Sequence, residues 1–327
     1  MVRRIEKNFA AIVAGLMVML LAPVTAFAQA YPNKSVRLVV PFAPGSTTDS
    51  LGRLFGLKLG ELWGQSVVID NRPGAGGNIG EEAVAKAAPD GYTLLIAAGS
   101  HTINPSLYEK LPFDAIKDFA PIAMLGSAPL LLVAHPSLPA ANIRELIALA
   151  KSKPGALNYA SGGSGSPSHL VMELFKTMAG VNIVHVPYKG GAPVMTAILA
   201  NEVQLTPGGL IGLLPFVKSG RLKAIATTGE KRSTAAPDIP TIAESGVPGY
   251  RLGGWWGMFA PAGTNRDILA KLHIDIKRAI QLPDVRAKFA NDGIDASTMS
   301  AEEFATYVRE EMVTMAKVVK ESGAKVD

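Results

Sequence analysis

Two loops rich in serine, threonine and glycine carry the residue types best suited to holding an anion in this chain of 327 residues. The first, Pro41-Phe42-Ala43-Pro44-Gly45-Ser46-Thr47-Thr48-Asp49, separates the β-branched run Ser35 to Val40 from a segment where Leu51, Leu54, Phe55, Leu59, Leu62 and Trp63 recur at helical spacing. The second, Ser161-Gly162-Gly163-Ser164-Gly165-Ser166-Pro167-Ser168-His169, stands likewise between the run Ala156 to Ala160 and an amphipathic helix. A helix start has backbone N–H groups without partners and a partial positive charge, so it stabilises an anion without any lysine or arginine. The candidate contacts are therefore Phe42, Ser46, Thr47, Thr48 and Asp49 in one loop and Ser161, Ser164, Ser166, Ser168 and His169 in the other. The plain alternative is capping. Ser46 and Asp49 have capping-box spacing, and Ser166 precedes a proline at a first helical position. Ser100 and His101, in Gly99 to Asn104 after a third strand, face the same choice between lining a cleft and capping. Of Trp255 and Trp256, one ring is suited to covering a planar ligand, while core packing is expected for at least one.

Enzyme readings fare poorly. Gly162-Gly163-Ser164-Gly165-Ser166 lacks the last glycine of the nucleophile elbow, so a secreted serine hydrolase using Ser164 or Ser166 with a histidine is the weaker alternative. Gly74-Ala75-Gly76-Gly77-Asn78-Ile79-Gly80 misses the dinucleotide fingerprint, and no G-K-[ST] sequence exists for a phosphate loop. The five histidines have no metal-binding spacing, and His135, His185 and His273 read as structural. No cysteine is present, which excludes disulfides, thiol catalysis and thiolate metal sites. No cofactor or metal is expected.

The elements that must position these loops follow from length and pattern. A chain this long, 48% hydrophobic and 18% charged, with 33 glycines and 23 prolines, suits a two-domain, loop-rich α/β protein. Arg3, Arg4 and Lys7, the apolar run Phe9 to Ala22 and the small residues before Ala28 and Ala30 read as a signal peptide cleaved after one of those alanines, which places the mature protein in a periplasm. Without those thirty residues the formal charge of +5 falls to +3, with no block of like charge, so nucleic acid is not an expected partner. Strands at 35–40, 67–70 and 93–97 alternate with helices and imply a parallel sheet with crossover connections. Ile122 to Leu125 and Leu130 to Ala134 read as a strand pair broken at Gly126 to Pro129. A second β-α series runs from Ala156 to Thr227, and Leu252 to Pro261 reads as a strand followed by two amphipathic helices. Open α/β sheets bind ligands beyond the carboxyl ends of their strands, which brings both loops to a cleft between lobes.

Several further motifs resemble one family. They are Val39-Val40-Pro41-Phe42-Ala43-Pro44-Gly45 with Asp49, Asp70-Asn71-Arg72-Pro73-Gly74-Ala75-Gly76-Gly77-Asn78, Pro89-Asp90-Gly91-Tyr92-Thr93, Ile103-Asn104-Pro105, His185-Val186-Pro187-Tyr188-Lys189-Gly190 and Phe259-Ala260-Pro261-Ala262-Gly263-Thr264. Their order over essentially the whole chain resembles the periplasmic receptors of tripartite tricarboxylate transporters, the Bug family. The resemblance implies a type II, Venus-flytrap binding protein with two crossing hinge strands. Its lobes would be 31–126 plus 251–327 and 127–250, after a signal peptide at 1–30. It also implies a carboxylate held by the two helix-start loops, partly through water, and delivery to a membrane permease; a monomer is the default expectation, and a sensor that presents its closed form to a membrane kinase is the alternative with the same fold. Two positions depart from the family pattern. Ser46 stands where a second glycine is usual, and Gly208 stands where many relatives have an aspartate that would suit a ligand ammonium group. A ligand without positive charge, a di- or tricarboxylate or an aromatic acid, is therefore expected over an amino acid.

Overall fold

The computed structural model describes residues 31–188 and 190–324, so the expected signal peptide at 1–30 and Lys189 lie outside the described residues. The chain divides into two units, 1–33 and 34–327, and the second holds all the elements below.

The first sheet contains β1 (Val36–Val40), β2 (Val67–Asn71), β3 (Thr93–Ala98), β4 (Phe119–Ala128), β10 (Gly254–Pro261) and β11 (Asp295–Ala296), in the order β11-β4-β10-β3-β1-β2. The second contains β5 (Leu130–Ala134), β6 (Asn158–Ser161), β7 (Val184–Pro187), β8 (Leu205–Gly209) and β9 (Lys223–Thr227), in the order β7-β6-β8-β5-β9. Both are mixed, and the parallel sheet expected of strands 35–40, 67–70 and 93–97 is present as β2-β1-β3 within the first. Parallel pairing is confined to β2-β1-β3 and β7-β6-β8, while β10 enters antiparallel between β3 and β4, and β5 lies antiparallel between β8 and β9. The helices are α1 (Thr47–Trp63), α2 (Asn78–Ala85), α3 (Ser100–Leu107), α4 (Ile143–Ser152), α5 (Pro167–Ala179), α6 (Gly191–Leu199), α7 (Leu210–Lys218), α8 (Arg266–Ile280), α9 (Pro283–Asp292) and α10 (Ala301–Ser322).

Segments 122–125 and 130–134 do not pair with each other. β4 continues through Gly126 to Ala128 against β10, and β5 joins the other sheet, so Pro129 is one crossing point between the two halves. The return crossing runs alongside it. Leu130 N–H donates to Thr228 Oγ1 at 2.9 Å, Thr228 N–H donates to the Leu130 carbonyl at 2.9 Å, and Gly254 then pairs with Ala128. Gly253 permits this approach, because a Cβ there would lie 3.2 Å from the Ala128 carbonyl oxygen.

α10 braces both halves. Phe304 and Val308 pack with the first sheet's Phe259 and Leu95, whereas Met315, Val318 and Val319 join the second half's core of Tyr159, Phe175 and Leu205. Midway, buried Glu311 accepts hydrogen bonds from Thr102 Oγ1 at 2.7 Å, Tyr307 at 2.9 Å and Trp255 Nε1. Burial raises its pKa in spite of these donors, as expected for a carboxyl enclosed by neutral groups.

Candidate functional site

The first loop is shaped by a carboxylate inside the helix it precedes. Asp49 is buried at the third position of α1, where its Oδ2 accepts from Gly45 N–H at 2.9 Å and Arg53 Nε at 3.0 Å, and its Oδ1 accepts from Asn71 Nδ2 at 2.9 Å. The same Asn71 amide donates to the Phe42 carbonyl at 3.1 Å, so the end of β2 fixes the end of β1. Burial alone would raise the Asp49 pKa, but the Arg53, Gly45 and Asn71 donors together hold it down to about 2. Ser46 Oγ caps the helix by accepting from Asp49 N–H at 3.1 Å. The reciprocal bond of a capping box falls instead on Gly45 N–H, one residue earlier, in a left-handed turn at φ +86°.

With these fasteners in place, the first two helical amides, of Thr47 and Thr48, have no protein acceptor among the described residues. Thr48 Oγ1 accepts from Trp256 Nε1 at 3.1 Å, which leaves its own proton to be donated elsewhere. Ser100 Oγ is buried without a partner. It lies beside Gly77, whose added Cβ would stand 3.5 to 3.7 Å from Pro41, Phe42 and Ser100. Phe42, Thr47, Thr48, Ser100 and Trp256 therefore gather at the carboxyl ends of β1 and β3. Gly77, which brings Phe42 and Ser100 together, was missed as a site residue; the Gly74 to Asn78 run was its only signal in the sequence.

His101 does not line this cleft. It is fully buried on the inner face of α3, with Nδ1 3.0 Å from Glu81 Oε2 and Nε2 3.0 Å from the Ala115 carbonyl, packed edge-on against Phe119. Both ring nitrogens are committed to the protein, which leaves it neither a ligand contact nor a cap. Trp255 is likewise core, and Trp256 is the half-exposed member of the pair.

The second loop closes on itself. Gly162 N–H donates to Ser168 Oγ at 3.0 Å, Gly163 N–H to Ser161 Oγ at 3.1 Å, Gly165 N–H to His169 Nδ1 at 3.1 Å and Ser166 N–H to the Gly163 carbonyl at 3.2 Å. Ser166 Oγ caps α5 through His169 N–H and lies 3.0 Å from Ser168 Oγ. Ser164 is exposed and makes no hydrogen bond with another side chain among the described residues, and neither its N–H nor that of Ser168 has an acceptor there. Beneath the loop, His169 stacks on His185 at 4.1 Å between centroids and His185 on Tyr159 at 4.9 Å. The Gly165 bond requires an unprotonated Nδ1 on His169, which puts the ring proton on Nε2, 3.8 Å from Glu173. Burial lowers the pKa of His169 against the opposing pull of Glu173, and burial with the neighbouring His169 takes His185 down to about 4. Within this loop the serine that meets a histidine is thus Ser161, 2.6 Å from His185 Nε2, and it is fully buried. Ser164 and Ser166 pair with no histidine side chain among the described residues, and the exposed contact of Ser137 Oγ with His135 Nδ1 at 2.7 Å lies outside both loops.

Beside this loop lies a cavity of about 390 Å³ lined by Leu130, Pro167, Val194, Met195, Pro207 and Leu213, with Ser168, Thr206 and Gly162, Gly191, Gly208, Gly209 and Gly212. Leu213 fills the space next to Gly208, where an added Cβ would meet its Cδ1 at 2.9 Å. The two loop regions approach the same crossing. Trp256 pairs with Ala98 and Gly126 in the first sheet, and Gly209 pairs with Leu130 in the second, on either side of Pro129.

Comparison with known proteins agrees with this geometry. Residues 52–324 match the family model described as tripartite tricarboxylate transporter family receptor. The chain is 36% identical to Protein BugT of Bordetella pertussis over 307 residues, covering 93% of this chain and 94% of BugT. Among solved structures, R. palustris Rpa4515 with adipate is 37% identical with a TM-score of 0.69, covering 90% of this chain and all of that one. A TctC solute-binding protein from Polaromonas without ligand is 25% identical with a TM-score of 0.82, covering 89% and 99%.

Proposed function

The chain belongs to the tripartite tricarboxylate transporter receptor family, and from that premise we propose that it captures a small carboxylate between its two halves by domain closure and delivers it to a tripartite-type membrane permease. Receptors of this family are periplasmic binding proteins, not enzymes. The receptor acts as a monomer in the periplasm after removal of its signal peptide by cleavage after Ala28 or Ala30.

The observation that carries the reading is the donor set left open at the start of α1. The Thr47 and Thr48 amides and the Thr48 hydroxyl proton have no acceptor among the described residues, and the helix start adds its positive end. Each hydrogen bond to a carboxylate contributes about 1.5–3 kcal/mol before ordering costs, which suits micromolar capture. Closure follows when the ligand reaches the second half as well, because only then are both sets of contacts engaged. Gly208 supplies no carboxylate to an ammonium group, which favours a di- or tricarboxylate or an aromatic acid over an amino acid.

A thermal-shift screen of the protein purified from periplasm tests the reading, using mono-, di-, tri- and aromatic carboxylates, each beside its amide. A ligand selective for the native state raises the melting temperature. The expected result is a rise with one class of acid and none with its amides, and equal responses to acid and amide would refute anion capture. In calorimetry, glutamate binding more tightly than glutarate would overturn the preference against amino acids.

A further inference from the structure

Resting on that carboxylate reading, we infer that His169 is a positioning residue of the second loop: through Nδ1 it fixes the backbone that presents the open amide of Ser164 to the ligand. His185 supports it from below. Two sets of contacts lead there.

The first surrounds Ser164. Its N–H and that of Ser168 have no acceptor among the described residues, so they are the donors this loop keeps for an anion. Ser164 stands between Gly163 at φ +129° and Gly165 at φ +75°, so the direction of its amide is set by how those two glycines are held. Both of their amides are tied down, and both ties end at an imidazole. Gly165 N–H donates to His169 Nδ1 at 3.1 Å. Gly163 N–H donates to Ser161 Oγ at 3.1 Å, and that oxygen lies 2.6 Å from His185 Nε2. With its proton on Nε2, His185 donates to Ser161, whose own hydroxyl then donates to the Gly163 carbonyl at 3.1 Å.

The second set holds the rings. His169 and His185 stack at 4.1 Å between centroids with planes 14° apart, and Tyr159 backs His185 from β6 at 4.9 Å. Glu173 and Lys176 of α5 are the charged groups that act on the pair. Burial lowers the pKa of both rings, which keeps His169 Nδ1 an acceptor at neutral pH. A ring needed only for packing would not require that nitrogen. A phenyl group could stack on His185 as well, but it would leave the Gly165 amide unheld and the Ser164 amide without a fixed direction.

Calorimetric titration of the periplasmically purified protein with succinate, citrate, adipate and benzoate selects the tightest of these acids as the probe. His169→Phe keeps a ring on His185 and removes the acceptor. His169→Asn removes the ring and offers Oδ1 in place of Nδ1, and His169→Leu has the shape of Asn without that oxygen. The Phe and Leu variants should bind at least tenfold more weakly than the unaltered protein, and the Asn variant should recover at least fivefold of that loss. The Asn and Leu pair decides alone where the bulk of Phe disturbs the fold. Imidazole nitrogen-15 spectra of the unaltered protein should show the His169 proton on Nε2; a proton on Nδ1 would overturn the role. His169→Phe binding as tightly as the unaltered protein, or His169→Asn binding no better than His169→Leu, would also overturn it and leave the receptor reading standing. Binding of none of the four acids by the unaltered protein would overturn the carboxylate reading, and this role with it.

Discussion

The loops 41–49 and 161–169 share composition and position, each following a parallel strand and feeding a helix, yet they are fastened by different means. The first is fastened by groups that leave its helix start open: Asp49 holds Gly45, Arg53 and Asn71, and the Thr47 and Thr48 amides stay unpaired. The second is fastened by its own serines and by His169, which take up the amides of Gly162, Gly163 and Gly165, while those of Ser164 and Ser168 have no acceptor among the described residues. Hydroxyl content therefore does not measure capacity to bind an anion. What counts is which amides the loop's fasteners leave open.

The largest effect should come from removing the fastener of the open loop. Asp49→Ala leaves the Gly45 N–H and the Asn71 amide without their acceptor in a buried place, so it should cost about 2–3 kcal/mol in urea unfolding. Carboxylate affinity by calorimetry should fall at least a hundredfold, because the amides of Thr47 and Thr48 lose their fixed direction. A variant that binds as before would show that the loop is held by its backbone alone. Because folding lowers the Asp49 pKa from 3.8 to about 2, its stabilising contribution is complete above the unfolded value and is lost as pH falls through the folded one.

The closed loop should answer to a different pH window. Unfolded imidazoles take up protons near pH 6.5, whereas folded His185 resists until about 4, with burial as the main cause. Between those values the unfolded chain binds more protons, so stability should fall as pH drops through that range and level off below it. The expected loss from pH 7 to pH 5 is about 1–2 kcal/mol in urea titrations. His185→Phe, which keeps the stack on Tyr159, should flatten that slope. An unchanged slope would assign the effect to other groups.

The same contrast explains what could be read without coordinates. Helix α1 was legible because Leu51, Phe55 and Leu59 are spaced for one buried face, and all three are core. The loops' positions were legible for the same reason. Gly126 misled, because it looked like a break. It is a point of close approach inside a continuous strand, where a Cβ would lie 2.6 Å from Ile294 and 2.8 Å from the Asp295 carbonyl oxygen. The place of β10 between β3 and β4 depends on residues more than 120 positions apart in sequence, which no local pattern encodes. The same holds for His101, whose polar partner Glu81 sits on another helix, and for the cavity wall, which joins Leu130, Val194 and Leu213 from three elements. α3 escaped notice because Pro105 interrupts an octet whose only large apolar residues are Ile103 and Leu107.

A smaller effect should follow at the edge of the open loop. Trp256→Phe keeps most of the ring but removes the Nε1–H that donates to Thr48 Oγ1. One hydrogen bond of this kind is worth about 0.5–1.5 kcal/mol, so calorimetry should register a threefold to tenfold weaker carboxylate. The smallest effect separates capping from binding. Ser46→Ala removes the acceptor of Asp49 N–H and should cost about 1 kcal/mol of stability. Asp49 still holds Gly45, Arg53 and Asn71 in that variant, so the open amides keep their direction and the affinity should stay within about twofold. A tenfold loss on Ser46→Ala at constant melting temperature would mean that this hydroxyl touches the ligand, and that the open loop donates through its side chains as well as through its backbone.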